Sequence, residues 1–292
     1  MKYEIFHLES GKLRKSYLHD FLIYIADVPE HPDYPEHTHE FTELVVVYEG
    51  SGINCVDGFD YPISAGDVFV LHEGTKHSYR ETRHLHLCNV LFDSSLLDIK
   101  GIDMSHLPGY HALFLLEPKL RKSKFNTRLR LESKELLKTK SMIEELEREV
   151  DGKQPGFRLI SQSLLLLLIG ELSRWHDQSA DKTSGKLMQI AKSIAHMERL
   201  YNEPMAIGDL ASMANMSERA FYRIFQEATG ITPNQYLTNL RLSQACELLK
   251  HSKMSITDIA YECGFQDNSY MTRQFKKHLG STPSAYRKIN QE

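Results

Sequence analysis

The sequence has little of what marks several classes of protein. Its four cysteines form no CxxC pair, so neither a disulfide framework nor a zinc knuckle is indicated. The longest aliphatic run, Leu164 to Ile169, is far shorter than a membrane span, and the first residues contain no apolar core of signal-peptide length. These absences predict a cytoplasmic protein with reduced thiols and no membrane partner.

No strong excess of charge is present over the whole chain. The 35 Lys and Arg against 39 Asp and Glu give a net charge of −4, which by itself argues against a nucleic-acid-binding protein. The charge is uneven, however, because residues 183–292 carry 13 Lys and Arg against 10 Asp and Glu, and the rest carries 22 against 29. A chain of 292 residues is long enough for two domains. The asymmetry therefore predicts an acidic domain joined to a mildly basic one.

Two patterns follow each other in the first part of the chain. Residues 21–92 are rich in β-branched and aromatic residues interrupted by Gly, Pro and Asp, which predicts a β-barrel or sandwich with a hairpin at Val56-Asp57-Gly58. Helical spacing then predicts helices over Glu132–Val150 and Phe157–Trp175. The second is apolar nearly all round, so the barrel, the first helix or a second subunit must cover it. A dimer interface and a purely intrachain core both remain open.

The last 110 residues contain one pattern twice. The copies align at an offset of 49 before a central turn and 50 after it, at pairs such as Asp209 and Asp258, Phe225 and Phe275, and Tyr236 and Tyr286. One residue has therefore been inserted in the turn of the second copy. Each copy predicts helix, turn and helix, with an N-cap at Ser217 in the first and at Asp267 or Asn268 in the second.

A longer helix predicted over Pro233–Lys250 connects the copies and spans about 26 Å at 1.5 Å per residue. In a helix-turn-helix unit the second helix enters the major groove, and a connector of this length suits two such helices on grooves about 34 Å apart. The two units, the connector and the terminal GSTPSAYR resemble the AraC/XylS family of bacterial transcriptional regulators. This resemblance implies double-stranded operator DNA and RNA polymerase as partners.

The outer faces of the two recognition helices are the candidate DNA-contacting surfaces. The core positions are predicted to be Phe221 and Phe225 in the first copy and Met271 and Phe275 in the second. Arginine can pair bidentately with guanine and asparagine with adenine, each contributing roughly 1–3 kcal/mol of discrimination. The remaining face, which also matches the base-contacting positions of the family, consists of Arg219, Tyr222, Arg223, Asn268, Ser269, Thr272 and Arg273. Base contact and phosphate contact stay open for each of them.

The stretch PEHTHEFTELVVVYEG places His37, His39 and Glu43 at HxHx3Ex6G spacing, and GDVFVLHEGTKHSY supplies a second half that ends at His77. Residues 37, 39, 41 and 43 would share one face of a strand. The two halves resemble the cupin motifs, which in metal-binding cupins bring three histidines and one glutamate to a metal. Imidazoles with a carboxylate suit Ni, Zn, Fe or Mn. The second motif departs from the usual pattern, because His72 stands where proline is common.

Three roles are open for these residues. His37, His39, Glu43 and His77 could bind a divalent metal, although the resemblance requires no cofactor. They could instead line a metal-free effector pocket together with Phe41 and Tyr79, which would suit a sugar. They could also be purely structural. The region that begins at LPGYHALFLLEPKL, with the helices after it, resembles the sensor halves of rhamnose-operon regulators.

The fold class predicted is α+β in two domains: a cupin-like β-barrel with trailing helices over residues 1–176, a linker over 177–185, and an all-α tandem helix-turn-helix domain over 186–292. The function predicted is a homodimeric, ligand-responsive, sequence-specific DNA-binding regulator that activates sugar-utilisation genes, and not an enzyme. The alternative is a metal-dependent cupin enzyme with a regulatory helical appendage. A third possibility is constitutive DNA binding with a vestigial barrel.

Overall fold

The computed structural model describes residues 12–13, 23–97, 102–116, 128–180 and 185–291. The chain forms two compact units, Met1–Met188 and Gln189–Glu292. The first contains one eight-stranded sheet, with strands β1 Lys12–Leu13, β2 Ile23–Val28, β3 Tyr34–His39, β4 Thr42–Val56, β5 Phe59–Ser64, β6 Asp67–Leu71, β7 His77–Phe92 and β8 Leu129–Arg130.

The two longest strands, β4 and β7, organise the sheet. They pair antiparallel from Thr42 opposite Phe92 to Val56 opposite His77, and the sheet order is β1-β3-β7-β4-β6-β8, with β2 also on β7 and β5 also on β4. The predicted hairpin is confirmed, because Val56 pairs with Phe59 and the turn residue Asp57 has a positive φ of 49°. Positive φ at both turn positions matches the right-handed twist of the strands.

Alternation along the strands separates two apolar layers. Leu44 and Val46 pack in one cluster with the helices of this unit, whereas Val45 and Val47 belong to a second cluster on the opposite face. Successive side chains of a strand point to opposite faces. Glu43 therefore lies on the face of Val45 and Val47, inside the curled sheet and away from the helices.

The helical part of the first unit covers one face of the sheet. Short 3₁₀ turns at Ser94–Leu97 and Asp103–His106 precede α1, Pro108–Tyr110, which leads into a π-helical segment, His111–Leu116; α2 is Ser133–Gly152 and α3 is Phe157–Ala180. A capping box between Glu132 and Glu135 begins α2. One face of α3 is buried in the core through Leu165, Leu168, Ile169 and Leu172. The intrachain core thus covers part of the apolar surface of α3.

Part of the predicted linker is helical in the structure. Residues 177–180 belong to α3, not to a linker, and 181–184 lie outside the described residues. Asp177 to Ala180 contain no Pro or Gly, and the Ser179 hydroxyl donates to the carbonyl of His176 at 3.0 Å. A polar helix end has the same composition as a linker, which explains the error. The division between the units falls within α4, Lys186–Arg199.

The second unit is all-helical over its described residues. After α4 come α5 Ile207–Met213, α6 Glu218–Thr229, α7 Pro233–His251, α8 Ile256–Glu262, α9 Asn268–Leu279 and α10 Pro283–Gln291. This arrangement confirms the α+β class with tandem helix-turn-helix units. No helix within the described part of the chain has the length and apolarity needed to cross a membrane.

Equivalent caps locate the inserted residue. Ser217 caps α6 and Asp267 caps α9, at an offset of 50. One step earlier, the amides of Met216 and Phe265 donate to the carbonyls of Ala211 and Ala260, at an offset of 49. The insertion is therefore Gln266, immediately before the second recognition helix.

The connecting helix α7 is held against the start of this unit. The Arg241 guanidinium donates to the carbonyls of Tyr201 (2.7 Å) and Glu203 (3.0 Å), and the Tyr236 hydroxyl donates to Glu198 at 2.6 Å. Tyr201 and Glu203 lie in the loop between α4 and α5. The connector is thus bonded to the segment that precedes the first helix-turn-helix unit.

Candidate functional site

Three strands bring the motif side chains together inside the sheet. His37 and His39 lie on β3, Glu43 begins β4 and His77 begins β7, where it pairs in register with His37. Nε2 of His39 lies 3.0 Å from a Glu43 carboxylate oxygen, and Nε2 of His77 lies 3.4 Å from the same oxygen. All four side chains are buried.

Backbone carbonyls fix the orientation of the three imidazole rings. Nδ1 of His39 lies 2.7 Å from the carbonyl of Phe41, Nδ1 of His77 lies 3.2 Å from that of Thr75, and Nδ1 of His37 lies 3.0 Å from that of Pro35. A carbonyl can only accept, so each Nδ1 carries the proton. Nε2 of His39 and Nε2 of His77 are therefore the ring atoms that face the Glu43 carboxylate.

The electrostatics of the cluster keep its members in defined states. Burial lowers the pKa of His37 to about 4, and the neighbouring His77 contributes, so His37 is neutral at pH 7. Burial alone would raise the pKa of Glu43, but the contacts with His39 and His77 outweigh it and hold that pKa below its ordinary value. Glu43 is accordingly an ionised carboxylate in a buried position.

The structure brings three of the four predicted metal ligands close together. His39, Glu43 and His77 have ligand atoms within 4.8 Å of one another. His37 is not part of this group. Its ring packs against that of His77 with centroids 4.0 Å apart. Strand alternation placed His37 on the correct face, but the pattern contained no information on how far along the strand the cluster extends.

A cavity of about 620 Å³ opens beside the cluster. Five of the six predicted effector residues line it, namely His37, His39, Phe41, Glu43 and Tyr79. The sixth, His77, does not line the cavity but contacts Glu43, which does. The Phe41 ring stacks on that of His39, with centroids 4.5 Å apart and planes 5° from parallel. The predicted residues thus meet around one space of a size typical of small-molecule sites, roughly 300–1,000 Å³.

Several lining residues escaped the sequence analysis. Tyr34 begins β3, His31 lies in the turn before it, and Asn89 lies on β7. The Asn89 side-chain oxygen is buried and has no hydrogen-bond partner within the described part of the chain. The sequence did contain an indication of this position. Leu87, Asn89 and Leu91 are two residues apart on β7 and so face the same, inner side of the sheet, and Asn89 is the polar member of that series.

The departure at His72 has a structural role. Its Nε2 donates to the carbonyl of Phe114 in the π-helical segment at 2.8 Å. Two residues on, the amide of Gly74 donates to the carbonyl of His39 at 2.8 Å, with a positive φ of 74° at Gly74. The turn of the second motif is therefore hydrogen-bonded both to the strand that carries His39, through Gly74, and to the helical layer, through His72.

A second depression is larger and more open. It measures about 710 Å³ and includes Arg83, Arg128 and Arg130 in its lining, but none of the predicted site residues. The Arg128 guanidinium is already engaged, since it lies 3.8 Å from Asp67 and donates to the carbonyl of Pro62. The cavity beside Glu43, in contrast, is lined by the buried side chains of His37, His39 and Glu43.

On the first recognition helix, α6, the predicted positions face away from the core. Phe221 and Phe225 are buried, whereas Arg219 and Arg223 are exposed. Arg223 pairs with Glu227 at 2.9 Å. Tyr222 is half-buried and its hydroxyl accepts from Asn234 at 2.7 Å.

On the second recognition helix, α9, Ser269 and Arg273 are exposed, and Asn268 and Thr272 are half-buried. The Thr272 hydroxyl donates to the Asn268 side-chain oxygen at 3.2 Å. The Arg273 guanidinium lies 5.8 Å from the centroid of the Tyr270 ring. All seven predicted residues are accessible to some degree, and their contact with DNA stays a prediction.

Comparison with known proteins agrees with both halves of this description. The family described as AraC-like ligand binding domain matches residues 19–169, and the family described as helix-turn-helix domain matches residues 210–289. The HTH-type transcriptional activator RhaR of Escherichia coli (strain K12) is 31% identical over 270 residues, 92% of each chain. RhaR of Shigella flexneri has the same identity and coverage.

Among solved structures, the DNA-binding domain of AdpA in complex with a target DNA is 36% identical, covers 35% of this chain and 91% of that chain, and has a TM-score of 0.34. The ligand-binding match spans strands β2 to β8 and the cavity, and the helix-turn-helix match spans both recognition helices. The chain belongs to the AraC family of transcriptional regulators, with a ligand-binding domain followed by a DNA-binding helix-turn-helix domain.

Proposed function

We propose that this chain is a cytoplasmic transcriptional activator of sugar-utilisation genes, and that a sugar bound in the cavity beside Glu43 controls it. The observation that carries the proposal is the cavity, which combines buried polar groups with apolar walls in a chain that also has two recognition helices. RhaR, which shares 31% identity, is named as a transcriptional activator. The resemblance of the sensor half to rhamnose-operon regulators makes rhamnose the first sugar to test.

The lining of the cavity suits a polyhydroxylated ligand. The Glu43 carboxylate and the side-chain oxygen of Asn89 can accept hydrogen bonds from hydroxyl groups. Phe41 and Leu91 supply apolar surface for the C–H faces of a sugar ring. A site built to hydrogen-bond hydroxyl groups discriminates strongly against ligands that lack them, because its buried polar groups would then be unpaired.

Substitution of Asn89 tests the cavity. Asn89→Leu should abolish the transcriptional response to the sugar and leave operator binding in the absence of sugar intact. The matched control is Asn54→Leu, since Asn54 is a buried asparagine on β4 that does not line this cavity. Direct sugar binding by calorimetry and DNA footprinting with and without sugar are the measurements. An unaltered footprint and unaltered transcription across a broad panel of sugars would instead support a vestigial barrel.

A second copy of the chain is the proposed partner for the apolar surface of α3 that remains uncovered. Leu159 is 71% exposed, Ile160 45% and Leu167 55%. Ile160 and Leu167 are seven residues apart and so lie on one face of the helix. Exposed apolar patches of this kind mark interaction sites. Leu167→Glu should convert a dimer to a monomer in sedimentation experiments, whereas Leu137→Glu, at an exposed leucine of α2, serves as the control.

As a regulator, the chain would catalyse no reaction at the buried cluster. Effector binding would change how the two recognition helices engage DNA, and hence recruit RNA polymerase, only if the sugar binds the active arrangement more tightly than the inactive one. Turnover of any sugar by the purified chain would favour the alternative, a metal-dependent enzyme with a helical appendage.

A further inference from the structure

The second depression, of about 710 Å³, gathers three arginine side chains from separate positions in the chain. Arg83 lies on β7, Arg128 immediately precedes β8 and Arg130 lies on β8. The surrounding domain is acidic, since residues 1–182 carry 22 Lys and Arg against 29 Asp and Glu. Like charges that line one concavity repel one another unless groups of opposite charge balance them. The balance of charge in this depression therefore decides what it can bind.

Arg128 is already balanced and oriented. Its guanidinium donates to the carbonyl of Pro62 at 2.6 Å and lies 5.6 Å from the centroid of the Tyr61 ring. The same guanidinium lies 3.8 Å from the carboxylate of Asp67, which also accepts from the Ser64 amide at 2.8 Å. A group that is held in this way loses little freedom when a ligand binds.

Arg83 and Arg130 carry the charge that remains. Both are exposed, and neither forms an ion pair within the ranges that the structure describes. The other acidic lining residue, Glu81, does not balance them, because its carboxylate pairs at 2.7 Å with Arg80, which lies outside the lining. Two positive charges in the depression thus have no opposite charge beside them.

We propose that the second depression binds the phosphate group of a small phosphorylated metabolite through Arg83, Arg128 and Arg130. The planar fork of a guanidinium matches two phosphate oxygens at once. A phosphate ester carries about −1.5 to −2 charges at pH 7, which balances Arg83 and Arg130 together, whereas one carboxylate would balance only one of them.

The size of the depression requires more than a phosphate ion. Its volume of about 710 Å³ lies within the roughly 300–1,000 Å³ of small-molecule sites. Ser51 and Glu81 in the lining can hydrogen-bond to hydroxyl groups, so the remainder of the ligand is polar, as in a sugar phosphate. This inference does not depend on the sugar proposed for the cavity beside Glu43.

The test measures binding to the full chain by calorimetry at constant ionic strength, with glucose 6-phosphate, inorganic phosphate and glucose as probes. We expect one equivalent of glucose 6-phosphate per chain, displaced by inorganic phosphate at higher concentration but not by glucose. No binding of either phosphate probe at millimolar concentration would overturn the proposal and leave the regulator function standing. Equal affinity for the two would assign the site to the free ion and contradict a phosphorylated metabolite.

Variants localise the phosphate. Arg83→Ala and Arg130→Ala each remove one charge-assisted contact and should weaken glucose 6-phosphate binding by about 10–100-fold, with the midpoint of thermal unfolding unchanged. The matched control is Arg148→Ala, at an exposed arginine of α2 outside the depression, and it should keep the original affinity. Unchanged affinity in both lining variants, or an equal loss in the control, would contradict the assignment.

Discussion

The two helix-turn-helix units share a scaffold but differ on the surface. In the first, the rings of Phe225 and Tyr236 meet edge to face at 5.7 Å, and in the second those of Phe275 and Tyr286 do so at 5.4 Å. A glycine with positive φ ends each recognition helix. The parts that build the unit are repeated, whereas the parts that would meet DNA are not.

The difference is one of charge. Helix α6 carries two arginines and two glutamates, one of which pairs with Arg223. Helix α9 carries Arg273, Lys276 and Lys277 and no acidic residue. Lysine and arginine contacts to phosphate supply affinity without sequence information, and base contacts supply specificity. We therefore expect α9 to contribute more of the salt-dependent affinity and α6 relatively more of the sequence preference.

Removal of the shared core should have the largest effect. Phe225→Ala and Phe275→Ala each delete a fully buried ring and should lower the local free energy of unfolding by about 3–5 kcal/mol. Hydrogen exchange of the full chain measures the amides of α6 and α9 separately. Each substitution should reduce protection chiefly in its own unit. Equal loss in both helix-turn-helix units would show instead that the two unfold together.

The central turns should respond unequally. Gly264 has a φ of 77°, and a Cβ there would lie 2.6 Å from the carbonyl oxygen of Asn202, so Gly264→Ala should cost on the order of 1–3 kcal/mol. The equivalent residue, Asn215, has a φ of 52°, which asparagine tolerates, so Asn215→Gly should be nearly neutral. Thermal unfolding of the two variants compares them. A neutral Gly264→Ala would mean that the second turn can relax away from Asn202.

The recognition surfaces should differ most subtly. Loss of Lys276 and Lys277 together should reduce the slope of log affinity against log salt by about 0.9 for each phosphate contact removed, with the site preference unchanged. Arg223→Ala should instead relax the preference at one position by about 1–3 kcal/mol. Selection of bound DNA from a random pool, repeated at several salt concentrations, measures both. Uniformly weaker binding by Arg223→Ala would assign that side chain to phosphate.

The sequence was informative where chemistry is local. The hairpin at Asp57 and the cap at Ser217 depend on neighbours within a few positions, and the structure has them as predicted. The end of α3 was misplaced because polar residues suit a solvated helix end as well as a linker. Alternation with Leu87 and Leu91 indicated that Asn89 faces inward, but the cavity that it lines is formed by strands far apart in the sequence.

The same contrast between local and long-range information explains why only three of the four predicted metal ligands lie together. Spacing placed His37, His39 and Glu43 on one face, which the structure supports, but the curvature of the sheet decides which three atoms meet. That curvature arises from the pairing of β3 and β4 with β7, between residues up to 50 positions apart. No pattern within a single strand contains it.

The bonds from Arg241 to the carbonyls of Tyr201 and Glu203 have a consequence for the operator. A connector fixed in this way offers little freedom to twist, so the angle between the two half-sites about the duplex axis must match a single value. One extra base pair between them rotates the second half-site by roughly 34–36°, since a turn of B-DNA contains about 10–10.5 base pairs. Natural operators for this protein should therefore tolerate base changes in the spacer far better than changes in its length.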